Sequence, residues 1–268
     1  MSDFEKKYYE NEKFWAGEML QDPDNMRRFE ATAKLIPNDV KSIADVGCGN
    51  GVFVNYLSQL RPDIDITGVD RSNTALKYVK VKKQNAEIQQ LPFNNKSFDC
   101  VSCLEVIEHL PQTIYHTSLA ELARVSKKYI IISVPFNEKL EHSYNKCPGC
   151  KSIFNYELHL RNYSEDGMGN LLKEFGFECI NLQKLGRIEN YIGHYLFRKI
   201  FYPKQILRWN SPICPICGFS KKTQEHHITA KTNSNKRSLV SYFTVIPKLF
   251  WPKKARPYWI MGLYKKTC

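Results

Sequence analysis

Three groups of side chains have the types and spacing to do chemistry. Gly47, Gly49 and Gly51 alternate through the run SIADVGCGNG, between a short apolar stretch and a helical run over 52–60. Glycine suits such a turn because it tolerates unusual backbone angles and, lacking a Cβ, lets a ligand lie against the main chain. Asp70 ends the next apolar stretch, IDITGVD. It stands roughly twenty residues past the glycines, where a β-α-β unit delivers a carboxylate to a ribose. The second group is four cysteines in two Cys-x-x-Cys knuckles, Cys147-Pro-Gly-Cys150 and Cys214-Pro-Ile-Cys217, the latter followed by Gly218. Proline inside the turn, and glycine within or just after it, let backbone amides point at two thiolates, as tetrahedral zinc requires. The third group is His109 and His159, imidazoles able to take a proton from a nucleophile near neutral pH.

The glycine turn admits two ligands. Dinucleotide enzymes use G-x-G-x-x-G, with a helix N-terminus facing the pyrophosphate. Here the turn is G-x-G-x-G and Val52 occupies the place of the last dinucleotide glycine. S-adenosylmethionine (SAM) has no pyrophosphate and needs close backbone approach plus an acid for the ribose hydroxyls. The surrounding residues favour SAM. DVGCGNG, then GVD, then AEIQQLPFNNKSFDCVSCLEVIEHL resembles the class I SAM-dependent methyltransferases, in particular small-molecule methyltransferases with an E-V-[IL]-E-H-L segment after strand 4; the resemblance covers 42–134. It implies a Rossmann-like α/β fold with a seven-stranded sheet. It also implies a cofactor set of Asp45, Gly47, Cys48, Gly49, Gly51, Asp70, Arg71, Glu87, Ile88 and Glu105, with Glu87 standing where the family has Asp. His109, in EVIEHL, and His159, in HLRNY, are the base candidates. His159 and Arg161 resemble an H-x-R segment of such enzymes, which would hold either an anionic substrate group or the backbone.

The elements that must position these groups are legible as follows. Two helices are expected over 4–36, the second with Pro23 in its first turn and an end before Pro37. Strand 1, the turn and the helix over 52–60 come next, then a strand over 64–70. Ser72 is expected to cap a helix running through Lys83, with Lys77, Lys80, Lys82 and Lys83 on its solvated face. Strands over 97–104 and 128–135 flank a helix opened by Pro111. A helix over 164–175, capped by Ser164 and stopped by Gly176, leads to strands over 177–185 and 258–265. Cys100 and Cys103 are three apart on a strand and face opposite sides, so they cannot grip one metal.

The resulting division is 1–41 as N-terminal helices over the cofactor, 42–136 as the SAM-binding core, and 137–163 as a first insertion. The core resumes over 164–185, a second insertion fills 186–256, and 257–268 forms the last strand. Loops leaving the fifth and sixth strands emerge on one face, so the two knuckles are expected to meet as a four-cysteine zinc clip, a zinc-ribbon-like lid. In the competing arrangement each knuckle recruits a histidine nine residues on, His159 or His226.

The chain has 268 residues and a net charge of +12. Residues 187–268 hold 16 Lys and Arg against 2 Asp and Glu, a net of +14, and the rest is near neutral. That block is aromatic as well as basic, which predicts contact with anionic lipid or a lipid-linked substrate. RNA is the rival anionic partner, but EVIEHL is unlike the N/D-P-P-Y/F loop used on base nitrogens, and no RNA-binding module is recognisable. A non-catalytic SAM-binding or zinc-scaffold protein is the rival from outside enzymes. The charged start MSDFEKKYYENEKFW predicts no secretory signal, and no apolar run reaches the length of a membrane-spanning helix. A cytoplasmic protein is expected, with peripheral contact at the inner membrane face as its extension.

Overall fold

The structure is a computed structural model that describes residues 9–10, 12–15, 23–190, 214–219 and 253–267. In chain order the elements are α1 (Glu12–Trp15), α2 (Pro23–Leu35), β1 (Ser42–Val46), α3 (Val52–Leu60), β2 (Asp65–Asp70), α4 (Asn73–Leu76), β3 (Lys82–Asn85) and β4 (Phe98–Leu104). They continue with α5 (Gln112–Val125), β5 (Ser126–Pro135), β6 (Tyr144–Lys146), β7 (Ile153–Asn155), α6 (Glu165–Asn170), β8 (Phe177–Asn190) and β9 (Lys253–Lys266). Seven strands form one sheet in the order β3-β2-β1-β4-β5-β9-β8, and β6 and β7 make a separate two-stranded sheet. The first five strands of the large sheet are parallel, and β9 runs antiparallel between β5 and β8.

Apolar residues cover both faces of the sheet, as a parallel sheet clothed by helices requires. Ala44, Cys103, Ile130 and Ile132 pack on one side, and Ile43, Cys100 and Ile131 on the other. Cys100 and Cys103 therefore do face opposite ways. The strand order reverses direction between β1 and β4, and ligands of open α/β sheets bind at that crevice, beyond the carboxyl ends of the strands.

Three expectations are corrected. The helix after Ser72 is a single turn; Ser72 Oγ caps it by accepting from Ala75 N at 3.0 Å. Lys82 and Lys83 belong instead to β3, which pairs with β2 from Thr67↔Lys82 to Asp70↔Asn85. Lys83 Nζ folds back onto the Leu76 carbonyl, ending the helical turn. The helix from Ser164 is capped as expected, Gly167 N donating to Ser164 Oγ at 3.1 Å, but ends at Asn170 before a short 3-10 turn stopped by Gly176 at φ 77. Gly167 and Gly169 weaken it. Finally, β8 and β9 run beyond their expected limits: their pairing continues to Asn190↔Lys253, so the second insertion is bracketed by 191 and 252.

Candidate active site

A cavity of about 530 Å³ lies at the reversal point of the sheet, within the usual size range of small-molecule sites. Its floor is the turn after β1. Gly47 and Gly49 have φ of 81° and 55°, and a Cβ on either would lie 2.4 Å from Val106 and 2.7 Å from Trp15 respectively. Gly47 N and Cys48 N donate to the Val69 carbonyl, tying the turn to β2. Asp70 ends β2 with Oδ2 accepting from Gly49 N and Oδ1 from Ser72 N, both at 2.8 Å. One carboxylate thus fixes two loops and keeps further lone pairs for a ligand. Burial raises its pKa, partly offset by those two amides.

Nine of the ten residues in the expected cofactor set line this cavity; Gly51 lies behind it, at φ 77 at the start of α3 and packed on Val79. Asp45 is buried and accepts from the Ser102 hydroxyl at 2.6 Å; burial pushes its carboxyl up to about 7. Burial likewise pushes the Cys48 thiol well up, which makes it inert. The Arg71 guanidinium lies 4.9 Å over the Tyr9 ring. Glu105 occurs at φ 57, and its carboxylate accepts from Ser133 Oγ and Trp259 Nε1, each at 2.9 Å, so strands β5 and β9 hold it in place.

The loop after β4 carries the histidine pair. Leu160 N donates to the Glu108 carbonyl at 2.8 Å, which brings the first insertion alongside this loop. His109 Nδ1 faces the Leu158 carbonyl at 3.3 Å, and the His109 and His159 rings meet edge to face at 4.8 Å. His109 lines the cavity. Burial pushes its pKa down to about 3, with His159 adding to the effect, so the ring is neutral and a weak proton acceptor. His159 is bound through Nδ1 to Glu138 at 2.5 Å. Burial opposes its charge, but the bond to Glu138 and the charges of Glu138 and Glu157 raise its pKa. Arg161 donates to the Ile107 and Leu110 carbonyls and stacks 4.0 Å over Tyr115, so of its two readings it holds backbone.

Polar lining residues outside the expected set include Arg28, Tyr156 and Glu157. Arg28 is buried with Nε and Nη1 unpartnered, its guanidinium 4.7 Å over Phe29. The readable signal was a cation inside the buried stripe Phe29, Thr32, Ala33 of α2, though Arg27 beside it looks the same in sequence.

The four knuckle cysteines converge. Cys147 Sγ is 3.6 Å from Cys217 Sγ and Cys150 Sγ is 3.9 Å from Cys214 Sγ. Zinc–sulfur bonds of about 2.3 Å in a tetrahedron put sulfurs about 3.8 Å apart, so the set fits a zinc ion. The two knuckles are structural copies. In each, the first cysteine's N–H donates to a carbonyl five residues on (Ser152, Phe219), and its carbonyl accepts from four residues on (Lys151, Gly218). Lys151 and Gly218 hold the same left-handed conformation, at φ 65 and 72. His159 lies at the other cluster, against the histidine-per-knuckle arrangement, and His226 falls outside the described residues.

The strand order, the glycine turn and the carboxylate at the tip of β2 define a class I SAM-dependent methyltransferase fold. The methyltransferase-domain family profile matches residues 20–182, more than half of the chain, and the chain belongs to that family. It is 28% identical over 172 residues to an O-methyltransferase of Pyrenophora dematioidea, covering 58% of this chain and 62% of that one. It is 35% identical over 111 residues to a ubiquinone biosynthesis O-methyltransferase of Rickettsia bellii, covering 37% and 45%. It is 34% identical over 91 residues to a tRNA U34 carboxymethyltransferase of Campylobacter curvus, covering 31% and 30%. The chain therefore spans less than two thirds of the length of each. Among solved structures, a SAM-dependent methyltransferase from Archaeoglobus fulgidus superposes with a TM-score of 0.52 at 18% identity over 97% of this chain and 99% of that one. The cyclase SpnF does so with 0.53 at 13% identity over 91% and 81%. These likenesses establish the fold. Among the described residues no helix is long and apolar enough to cross a membrane.

Proposed function

We propose that the chain is a SAM-dependent methyltransferase acting on a hydroxyl of a small or lipid- or sugar-linked metabolite. The observation that carries this reading is the bare backbone at Gly47 and Gly49 beside Asp70, opening into a cavity that continues past Glu105 and His109 to Tyr156 and Glu157. Bound there, SAM supplies an electrophilic methyl. Asp70 would take the ribose hydroxyls, Glu87 and Ile88 the adenine, and the loop Glu105–His109 the sulfonium end. Arg28, a buried cation without a full set of acceptors, is placed to take an anionic group of cofactor or substrate. The enzyme's remaining task is alignment, since methyl transfer is an in-line displacement. The O-methyltransferase relatives support a hydroxyl acceptor. In the same reading Cys147, Cys150, Cys214 and Cys217 hold a structural zinc that clips the two insertions together, and the basic aromatic block 187–268 meets anionic lipid.

Calorimetry with S-adenosylhomocysteine tests the core of this. The wild-type chain is expected to bind it, and Asp70→Ala to weaken binding at least tenfold, in line with loss of charge-assisted hydrogen bonds of about 1.5–3 kcal/mol. Absence of heat with the folded wild type would refute the reading. A metabolite pull-down with methyl-labelled SAM then identifies the acceptor.

A further inference from the structure

The way the four knuckle cysteines are paired and exposed has a chemistry of its own beyond holding a metal. We propose that they form a site of reversible oxidation, at which peroxide replaces the metal by two disulfides, Cys147–Cys217 and Cys150–Cys214, each crossing from one insertion to the other. The metal half of this rests on the four-cysteine zinc reading; the disulfide half stands on the sulfur geometry.

All four sulfurs lie within 4.8 Å of one another. The approaches of 3.6 Å, Cys147 to Cys217, and 3.9 Å, Cys150 to Cys214, both run between the knuckles. A disulfide of about 2.05 Å needs each of these pairs to close by less than about 2 Å. The knuckles also touch beyond their sulfurs, since a Cβ on Gly149 would lie 3.1 Å from the Phe219 ring. Each turn is pinned by its own backbone: Lys151 N donates to the Cys147 carbonyl at 3.0 Å, and Gly218 N to the Cys214 carbonyl at 2.9 Å. A bridge inside one knuckle has to reshape that turn, whereas a bridge between knuckles needs only a small approach of two intact turns.

Exposure divides both pairs in the same way. Cys150 and Cys217 are exposed, while Cys147 and Cys214 are fully buried, so each pair has one sulfur open to an oxidant and one shielded beside it. The remaining thiols among the described residues are buried or half-buried. Oxidant therefore meets the knuckles first, and each exposed sulfur has a resolving partner at hand.

The exposed sulfur attacks one peroxide oxygen; the O–O bond breaks, and the departing hydroxide takes a proton from solvent to become water. The sulfenic acid so formed no longer binds zinc as a thiolate does. The buried partner then attacks that sulfur, the S–S bond forms, and a second hydroxide leaves and is protonated to water. Each pair gives two electrons to one peroxide, and two peroxides release one zinc as the hydrated cation. A dithiol reductant reverses the step by exchange. Metal lost by this route leaves the two insertions joined, whereas metal lost to a chelator leaves the thiols free and unlinked.

Peptide mapping of the full chain, zinc-loaded and then treated with hydrogen peroxide, tests the site. No Lys or Arg separates Cys147 from Cys150 or Cys214 from Cys217, so trypsin leaves one knuckle in each of two peptides. Under non-reducing conditions the two peptides are expected to be joined, with one zinc per chain released to a chromophoric chelator. Fragmentation before Pro148 and Pro215 then shows which sulfur meets which. Dithiothreitol with added zinc should restore the starting mass and metal content. Each peptide closed on itself overturns the site. So do zinc and free thiols retained in excess peroxide, a result that leaves the zinc reading standing. Joined peptides from a chain that holds no zinc when reduced support the disulfides and sink the zinc reading.

Discussion

A methyl group added at Gly47 would lie 2.4 Å from Val106 Cγ2, and the residue is at φ 81, so two separate penalties act there. Left-handed strain costs about 1–2 kcal/mol and the overlap adds a similar amount. Gly47→Ala is expected to lower stability by roughly 2–4 kcal/mol in denaturant melts and to abolish cofactor binding. Adding Val106→Ala should restore only the share due to overlap. Asp45 makes a different prediction, one of pH. Its carboxyl is raised by burial from 3.8 to about 7, so the folded chain holds a proton that the unfolded chain has released. Its contribution to stability is therefore full below about pH 4 and lost as pH rises through 7. Across about three pH units at 1.36 kcal/mol each, that amounts to on the order of 4 kcal/mol. Melts of the cofactor-free wild type at pH 5 and pH 8 should show the loss, and Asp45→Asn should flatten it. At this scale the glycines and Asp70 were readable because their backbone demands leave a spelling in the sequence. Arg28 was not, because which of two adjacent arginines turns inward depends on how α2 meets the sheet.

Among elements, the paired knuckles offer an internal control. Lys151 and Gly218 occupy equivalent left-handed positions, yet only one is glycine. Lys151→Gly should stabilise the metal-loaded chain by about 0.5–1 kcal/mol, and Gly218→Ala should destabilise it by a similar amount. Thermal melts of the zinc-loaded protein read both, and equal, near-zero effects would show that the turns carry no strain. The strands were legible where apolar runs or flanking turns marked them. β3 was not, because KKQN carries no strand-forming residue; its place is decided by the free edge of β2. The outer halves of β8 and β9 were hidden by Gly186 and Pro257, which read as breakers. They face each other next to a register shift, beyond Trp259, where β9 last pairs with β5. There β9 has one neighbour, and a missing N–H is tolerated as on an edge strand.

For the whole molecule, charge and chemistry are divided. Among the described residues, the cavity is lined from the near-neutral part of the chain, whereas 191–252 holds most of the basic block and two of the four converging cysteines. Replacing 191–252 by an Asn-Gly turn should leave a folded chain that binds S-adenosylhomocysteine within about threefold of wild type, because such a turn closes a two-stranded arm without strain. The shortened chain should lose stoichiometric zinc and, in flotation assays, the affinity for anionic vesicles expected of the full chain. Retention of vesicle binding would place that surface elsewhere. Asn190 and Lys253 are direct partners across the arm, so the chain departs from and returns to nearly one point, about 5 Å wide. A stretch moored this way is an exchangeable cassette: a different peptide can take its place wholesale, provided its ends meet, without re-registering a single strand of the central sheet.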